Sequence, residues 1–303
     1  MATPITNVTE LQAMVLSGTV SYYLANDIDA SDTINWNAGA GFSPLTGAIA
    51  SVVDIDGKGF RIKDLYINRP DTNYIGFIGS TRSASMKVSN IFLENANIIG
   101  MMYTGGLFGR TNAVTSITGC GVSGNIRQAS DHYCGGICGS NIGAISKSYS
   151  KANISKTLYA AGLGGIAGEN FGVIADCCAM GKVTVDAWYY VSIGGLVGIN
   201  SGTINRCYSN GLILPVQGSN PTITGFVGDN SGTITTSYWD TETSGYTTGA
   251  EPASDPPTGK TTAQMKQQAT FAGWDFDRTW KIIEGKTYPR LRIGATKKRV
   301  TRS

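Results

Sequence analysis

A four-residue phrase, Gly-Φ-Φ-Gly with Φ apolar, recurs along this chain at an almost constant interval, and that interval limits the possible folds sharply. Its closing glycines are Gly79, Gly109, Gly139, Gly168, Gly198 and Gly228, separated by 30, 30, 29, 30 and 30 residues. Its opening glycines keep step at Gly76, Gly106, Gly136, Gly165, Gly195 and Gly225. Between them run two apolar columns, Phe77, Leu107, Ile137, Ile166, Leu196, Phe226 and Ile78, Phe108, Cys138, Ala167, Val197, Val227. Further columns follow at fixed offsets: Asn141, Asn170, Asn200, Asn230, then Gly143, Gly172, Gly202, Gly232, then Ile145, Ile174, Ile204, Ile234. Ile154, Val183 and Ile213 form another, and the repeat from Gly109 joins with two extra residues, bringing in Ile117, Cys120 and Ile126.

A period of this length marks a stacked-repeat architecture, because one unit cannot bury its own apolar side chains but neighbouring coils share an interior. Short apolar runs separated by glycine suit brief strands and tight corners, where the glycines are expected to take positive φ. Asparagine tolerates left-handed backbone, and stacked amides can bond along a column. The phrases of leucine-rich and helical repeats are missing. The chain is therefore expected to be all-β, a single-stranded right-handed parallel β-helix, with the solenoid over residues 41–240.

Composition narrows the alternatives. The 40 glycines follow no Gly-X-Y period, which excludes collagen, and 41% apolar residues is too many for disorder. The net charge of +3 is concentrated at the end, in Lys297, Lys298, Arg299 and Arg302. No basic stripe runs along the body, so no nucleic-acid partner is expected, and no apolar run is long enough for membrane insertion. The first residues carry neither a basic nor an apolar leader segment, so no secretion signal is expected. Six cysteines in such a chain are expected to be thiols.

The phrase Gly194-Gly195-Leu196-Val197-Gly198-Ile199-Asn200-Ser201-Gly202-Thr203-Ile204-Asn205-Arg206-Cys207-Tyr208-Ser209 resembles the GLUG-motif repeat of β-solenoid surface proteins. Gly225 to Tyr238 repeats it, the units from Gly135 and Gly164 follow it in part, and the earlier two match at their opening glycines. Asp56 to Ile67 resembles the coil that precedes such repeats, and Thr261 to Leu291 resembles their C-terminal cap. The resemblance implies a pectate-lyase-like parallel β-helix and a place on bacterial-surface adhesins or phage particles. It implies no shared active site.

Open solenoid ends are exposed sheet edges and must be covered. Residues 1–40 are expected to form an N-terminal cap and first coil, with a short helix over 9–16 turning Leu11, Val15 and Leu16 inward and stopping at Gly18. Residues 241–260 read as a Ser/Thr/Gly/Pro linker, and 261–303 as a cap with a basic tail. In that cap a helix over 262–270 precedes an aromatic plug of Trp274, Phe276, Trp280, Ile282, Tyr288 and Leu291.

Candidate chemistry is sparse. His132 is the single histidine, and with Cys134 and Cys138 it suggests a zinc or nucleophile set that lacks a fourth ligand. Cys120, Cys177 and Cys207 share a column with Ser148 and Ser237, a stacking pattern of small residues; Cys178 joins Tyr149, Tyr208 and Tyr238. Lys147, Asp176 and Arg206 read as a surface charge ladder, and Glu169 and Asp229 stand outside that column as possible acids. Thr258-Gly259-Lys260-Thr261 imitates a phosphate loop without its first glycine, which is Ser254 here. The stretches between repeats carry Tyr133, Tyr159, Trp188, Tyr189 and Tyr190, a candidate interaction edge for a glycan or another subunit. With the four tail cations, these make up the expected interaction surface.

The expectation is a structural or interaction protein rather than an enzyme, without a cofactor or metal. Its expected setting is a bacteriophage virion (capsid decoration, fibre or tail), with other virion proteins, copies of itself or a host glycan as partners. The alternatives are a glycan-binding or glycan-cleaving spike and a bacterial cell-surface adhesin fragment.

Overall fold

The computed structural model describes residues 1–130, 132–156, 161–185, 192–214, 221–252 and 257–293. Among these, Tyr159, Trp188, Tyr189, Tyr190 and the basic tail do not fall, so those expectations lie outside the described residues. The fold is a parallel β-solenoid. One middle coil shows the path: Tyr133–Gly135, Cys138–Asn141, Ala144–Ser146 and Tyr149–Lys156. Each strand pairs in parallel with its equivalent one coil later, as in Tyr133 with Gly162, Cys138 with Ala167, Ile145 with Ile174 and Tyr149 with Cys178. Among the described residues, stacking extends these into a first ladder of five strands, a second of seven, a third of nine and a fourth of 12.

The repeat columns are the core. Ile55, Val88, Ile117, Ile145, Ile174, Ile204 and Ile234 stand in register down the third ladder, all buried. Full burial of each such side chain stabilises by about 1.5–3 kcal/mol before entropy is counted.

Polar columns sit inside the same wall. The Asn141 amide donates to Asn170 Oδ1 at 2.8 Å, Asn170 to Asn200 at 2.8 Å, and Asn200 to Asn230 at 2.7 Å. Each also donates to the carbonyl two residues on, at 3.2–3.3 Å. Thr111 Oγ1 extends the ladder at its N-terminal end, bonding to Asn141 Oδ1 at 3.2 Å. The cysteine–serine column behaves alike: Ser148, Cys177, Cys207 and Ser237 each donate to the carbonyl two residues earlier, and Ser148, Cys207 and Ser237 also accept an N–H from the preceding coil. All six cysteines are free and buried.

The corner glycines depart from expectation. None of the twelve glycines of the repeated phrase lies at positive φ. The left-handed corner falls between the third and fourth ladders instead, at Asn90, Gly119, Lys147, Asp176, Arg206 and Thr236, whose φ values run from 43° to 69°. The phrase glycines are needed for closeness. A Cβ on Gly139 would stand against the Tyr103–Thr104 backbone, one on Gly168 against Tyr133 and Cys134, and one on Gly198 against Gly162 and Leu163.

The ends are also closed differently. The N-terminal helix is short, Val8–Gln12, capped by the Asn7 side chain accepting from the Glu10 N–H at 2.9 Å. Leu11 and Leu16 are buried as expected, but Val15 is 62% exposed and Met14 takes the inward place. The chain has left the helix by Ala13, so helical spacing no longer sets which residue faces in.

At the other end, the expected linker is the lid. Gly225 and Val227 donate their N–H groups to Thr248 and Gly249 carbonyls, both at 2.8 Å, while Trp239, Tyr246 and Ala250 pack onto the core. Thr258–Lys260 adds a final parallel strand beside Tyr238–Asp240, so the phosphate-loop look-alike is part of a sheet.

The aromatic segment meanwhile lies on the flank. Met265, Phe271, Trp274, Trp280 and Leu291 form a second cluster with Cys178, Tyr208 and Tyr238, the outward column of the fourth ladder. The expected helix over 262–270 is two 3-10 turns, Gln264–Lys266 and Gln268–Thr270.

Candidate functional site

The close approach at the phrase glycines shapes one side of the solenoid surface. Because those residues have no side chain, the second ladder folds against the first in a sharp crease. Residues beside the glycines on each ladder then face one another outside the wall. From the second ladder come Ser80, Arg110, Ser140, Glu169, Ile199 and Asp229, in register. From the first come Tyr74, Tyr103 and Tyr133, on successive coils.

The three tyrosines form a half-buried aromatic ladder. Tyr74 and Tyr103 stack with centroids 5.1 Å apart and planes at 14°, and Tyr133 continues 5.6 Å from Tyr103. His132 packs edge-on to Tyr103 at 5.3 Å. The Arg110 guanidinium lies 5.6 Å from the Tyr103 ring centre, within cation–π range. At the N-terminal end the crease opens into a recess of about 420 Å³, where Asn73, Arg82 and Arg110 present polar groups beside the Tyr74 ring and the Asn112 amide is held by its own loop.

Burial shapes the electrostatics at the other end. It raises the Glu169 carboxyl above its usual range, against the opposing pull of the Ser140 and Tyr133 hydroxyls and the Arg110 charge. Burial, with the Glu169 charge added, pushes the Tyr133 phenol up to about 12. Tyr133 therefore stays a neutral donor at any physiological pH. The arrangement suits a ligand with flat apolar faces and hydroxyls around its edge.

Of the sequence candidates, Tyr133 is here and Glu169 faces it. Tyr74, Tyr103 and Arg110 were not singled out, although Tyr74, Tyr103 and Tyr133 are spaced by 29 and 30 residues, the period of the repeat. The zinc set is not assembled: Cys134 and Cys138 belong to the interior, while His132 lies among the outer rings. Asp176 is not part of an exposed charge ladder. Arg206 grips it with two bonds of 2.8 Å, and the Trp280 indole donates to it at 3.4 Å beneath the flank module. Glu169 and Asp229 share the outer row but are two coils apart with Ile199 between them. No group of three or more metal-ligating side chains occurs among the described residues.

No family model matches the chain. Halomucin of Haloquadratum walsbyi is 33% identical over 147 residues, 46% of this chain, and the chain spans only 2% of that protein's length. Among solved structures, a Bacteroides ovatus protein named provisionally as an immunoglobulin A1 protease superposes with a TM-score of 0.71 at 21% identity, covering 95% of this chain and 91% of that one. A structure named IgA1 protease superposes with a TM-score of 0.57, also at 21% identity, over 78% of this chain and 19% of that one. At this identity the likeness establishes the β-solenoid fold. The expectation that the chain is not an enzyme is corrected by these matches: proteins sharing the fold are named as proteases, so the solenoid gives no ground for excluding catalysis. None of the three matches carries a virion name.

Proposed function

We propose that this chain is a binding segment of a surface protein and that the tyrosine crease engages saccharide chains. The observation that carries this reading is the ladder Tyr74, Tyr103 and Tyr133, stacked along the solenoid and flanked by Arg110 and the 420 Å³ recess. Sugar rings present C–H faces that pack on aromatic rings, and their hydroxyls need the kind of polar groups that Asn73, Arg82 and Arg110 supply at the recess. The rings stack on one another, so a saccharide in the crease would meet their edges and hydroxyls, with the Tyr74 ring at the recess. The halomucin match supports a setting on a cell surface, and the resemblance to the GLUG repeat points the same way.

The test is a glycan array probed with the chain, followed by calorimetry on the best ligand. Tyr103→Ala and Arg110→Gln should each weaken binding, Tyr103→Ala by about two- to tenfold given the worth of one stacked ring. Lys182→Ala, at an exposed site, should leave it unchanged. Retention of full affinity in Tyr103→Ala would remove the crease from consideration.

A further inference from the structure

A second recess lies where the C-terminal module meets the fourth ladder, and its chemistry differs from the crease. It holds about 520 Å³ and is ringed by five cations, Lys151, Lys266, Lys281, Lys286 and Arg290. No carboxylate is among its lining residues, and none of the five has an ion-pair partner among the described residues. Two of the charges sit over rings that also line the recess: Lys151 Nζ is 5.4 Å from the Tyr149 ring centre and Lys266 Nζ is 5.7 Å from that of Tyr288. Met180, Leu291 and Ile293 supply an apolar lining.

Five cations around one recess repel each other, and a fold gains nothing from gathering them without a counter-charge. The walls are built rather than incidental. Tyr288 is fixed by its hydroxyl donating to Asp240 at 2.6 Å, and the adjoining Pro289 carbonyl accepts from the buried Tyr208 hydroxyl at 2.7 Å. The site draws one wall from the solenoid and one from the flank module, and the module's docking creates it.

We infer that this recess binds a short acidic saccharide, one carrying carboxylate or sulfate groups. The five cations ring one recess and do not form a stripe along the described residues, so they offer no track for a nucleic acid. Its volume accommodates two or three sugar rings, with the lysines, two of them held over Tyr149 and Tyr288, as point charges for the acid groups and Met180, Leu291 and Ile293 as the apolar surface. The inference deepens the saccharide-binding reading but rests on a different site, so the two succeed or fail separately.

The experiment is calorimetry of the full chain with a sulfated disaccharide series, an oligogalacturonate, a neutral oligosaccharide of equal length and a single-stranded oligonucleotide of equal charge. One acidic saccharide series should bind at one site per chain, more weakly as salt rises. The sulfated and uronate arms identify which acid group is preferred. The double variant Lys266→Gln/Arg290→Gln should lose about tenfold or more of that affinity, while Lys87→Ala, at an exposed site outside both recesses, retains it. An unchanged melting temperature in the double variant shows that the wall is intact; Lys281→Gln/Lys286→Gln, at exposed positions, provides a second pair should the first be unstable. Equal binding of the neutral oligosaccharide, tighter binding of the oligonucleotide, or unchanged affinity in both double variants would overturn the inference.

Discussion

At Gly198 an added methyl group would stand against the Leu163 amide and the Gly162 carbonyl carbon, although the residue itself lies outside the left-handed region. At Lys147 the situation is reversed: the backbone is left-handed, with φ of 47°, and the side chain is exposed. The two sites should respond oppositely to substitution. Gly198→Val should destabilise by more than about 3 kcal/mol, since backbone rather than a flexible side chain blocks the new atoms. Lys147→Gly should be neutral or stabilising, because it relieves about 1 kcal/mol of left-handed strain while loosening the unfolded chain. Chemical denaturation of both variants checks the pair. Glu169 provides a pH-dependent case. Burial raises its carboxyl above the usual 4.5 in the folded chain, so the folded state holds its proton more tightly than the unfolded state. Stability from this group is therefore greatest below 4.5, falls as pH rises through the interval up to the folded value, and is level beyond it. Glu169→Gln should remove that decline and raise the melting temperature near neutral pH; a variant with the wild-type slope would show that the carboxylate is solvated after all.

A column, the next scale up, is worth more than its members taken singly. Asn170 accepts from Asn141, donates to Asn200 and donates to the Gly172 carbonyl, all inside the wall. Asn170→Ala takes one acceptor from the Asn141 amide, one donor from the Asn200 carbonyl oxygen and one donor from the Gly172 carbonyl, and should cost about 2–5 kcal/mol. Asn230 is the last of the four and meets only Asn200 among the amides, so Asn230→Ala should cost less than Asn170→Ala by about 1 kcal/mol or more. Equal losses in thermal denaturation would mean that the amides act independently. This ladder was legible in the sequence because identical residues recur at one offset, and a parallel stack brings equal offsets into contact. The left-handed corner was not, because Lys147, Asp176, Arg206 and Thr236 share a backbone state but no side-chain type. The crease was half legible. Tyr133 stood out beside the single histidine, whereas Tyr74 and Tyr103 lay in repeats that match the phrase only at their glycines, and no sequence rule states that the first and second ladders fold face to face. The recess at the flank required knowing where the C-terminal module docks.

The whole molecule consists of a solenoid with its own lid and a separate module on its side, and cysteine accessibility distinguishes that arrangement from an end plug. Cys120, Cys134, Cys138, Cys177 and Cys207 belong to the interior cluster, whereas Cys178 alone packs against the module. Burial pushes the thiols of Cys120, Cys134, Cys138 and Cys178 up to about 12, so none should react in the intact native chain. A chain stopped after Lys260 keeps Trp239, Tyr246, Ala250 and the Thr258–Lys260 strand over the last coil. Because each coil is stabilised mainly by its neighbours, that chain should remain a folded solenoid with a lower melting temperature. It would lose the Trp280 bond to Asp176 and the packing over Tyr208 and Tyr238, which lie on the outer face. Native thiol titration should therefore find no reactive groups in the intact chain, one in the shortened chain, and six in either after denaturation under non-reducing conditions. The single native thiol should vanish in the shortened Cys178→Ser variant. Were the module instead the plug of the open end, its removal would expose the column ending at Cys207 and Ser237, and more than one thiol would titrate.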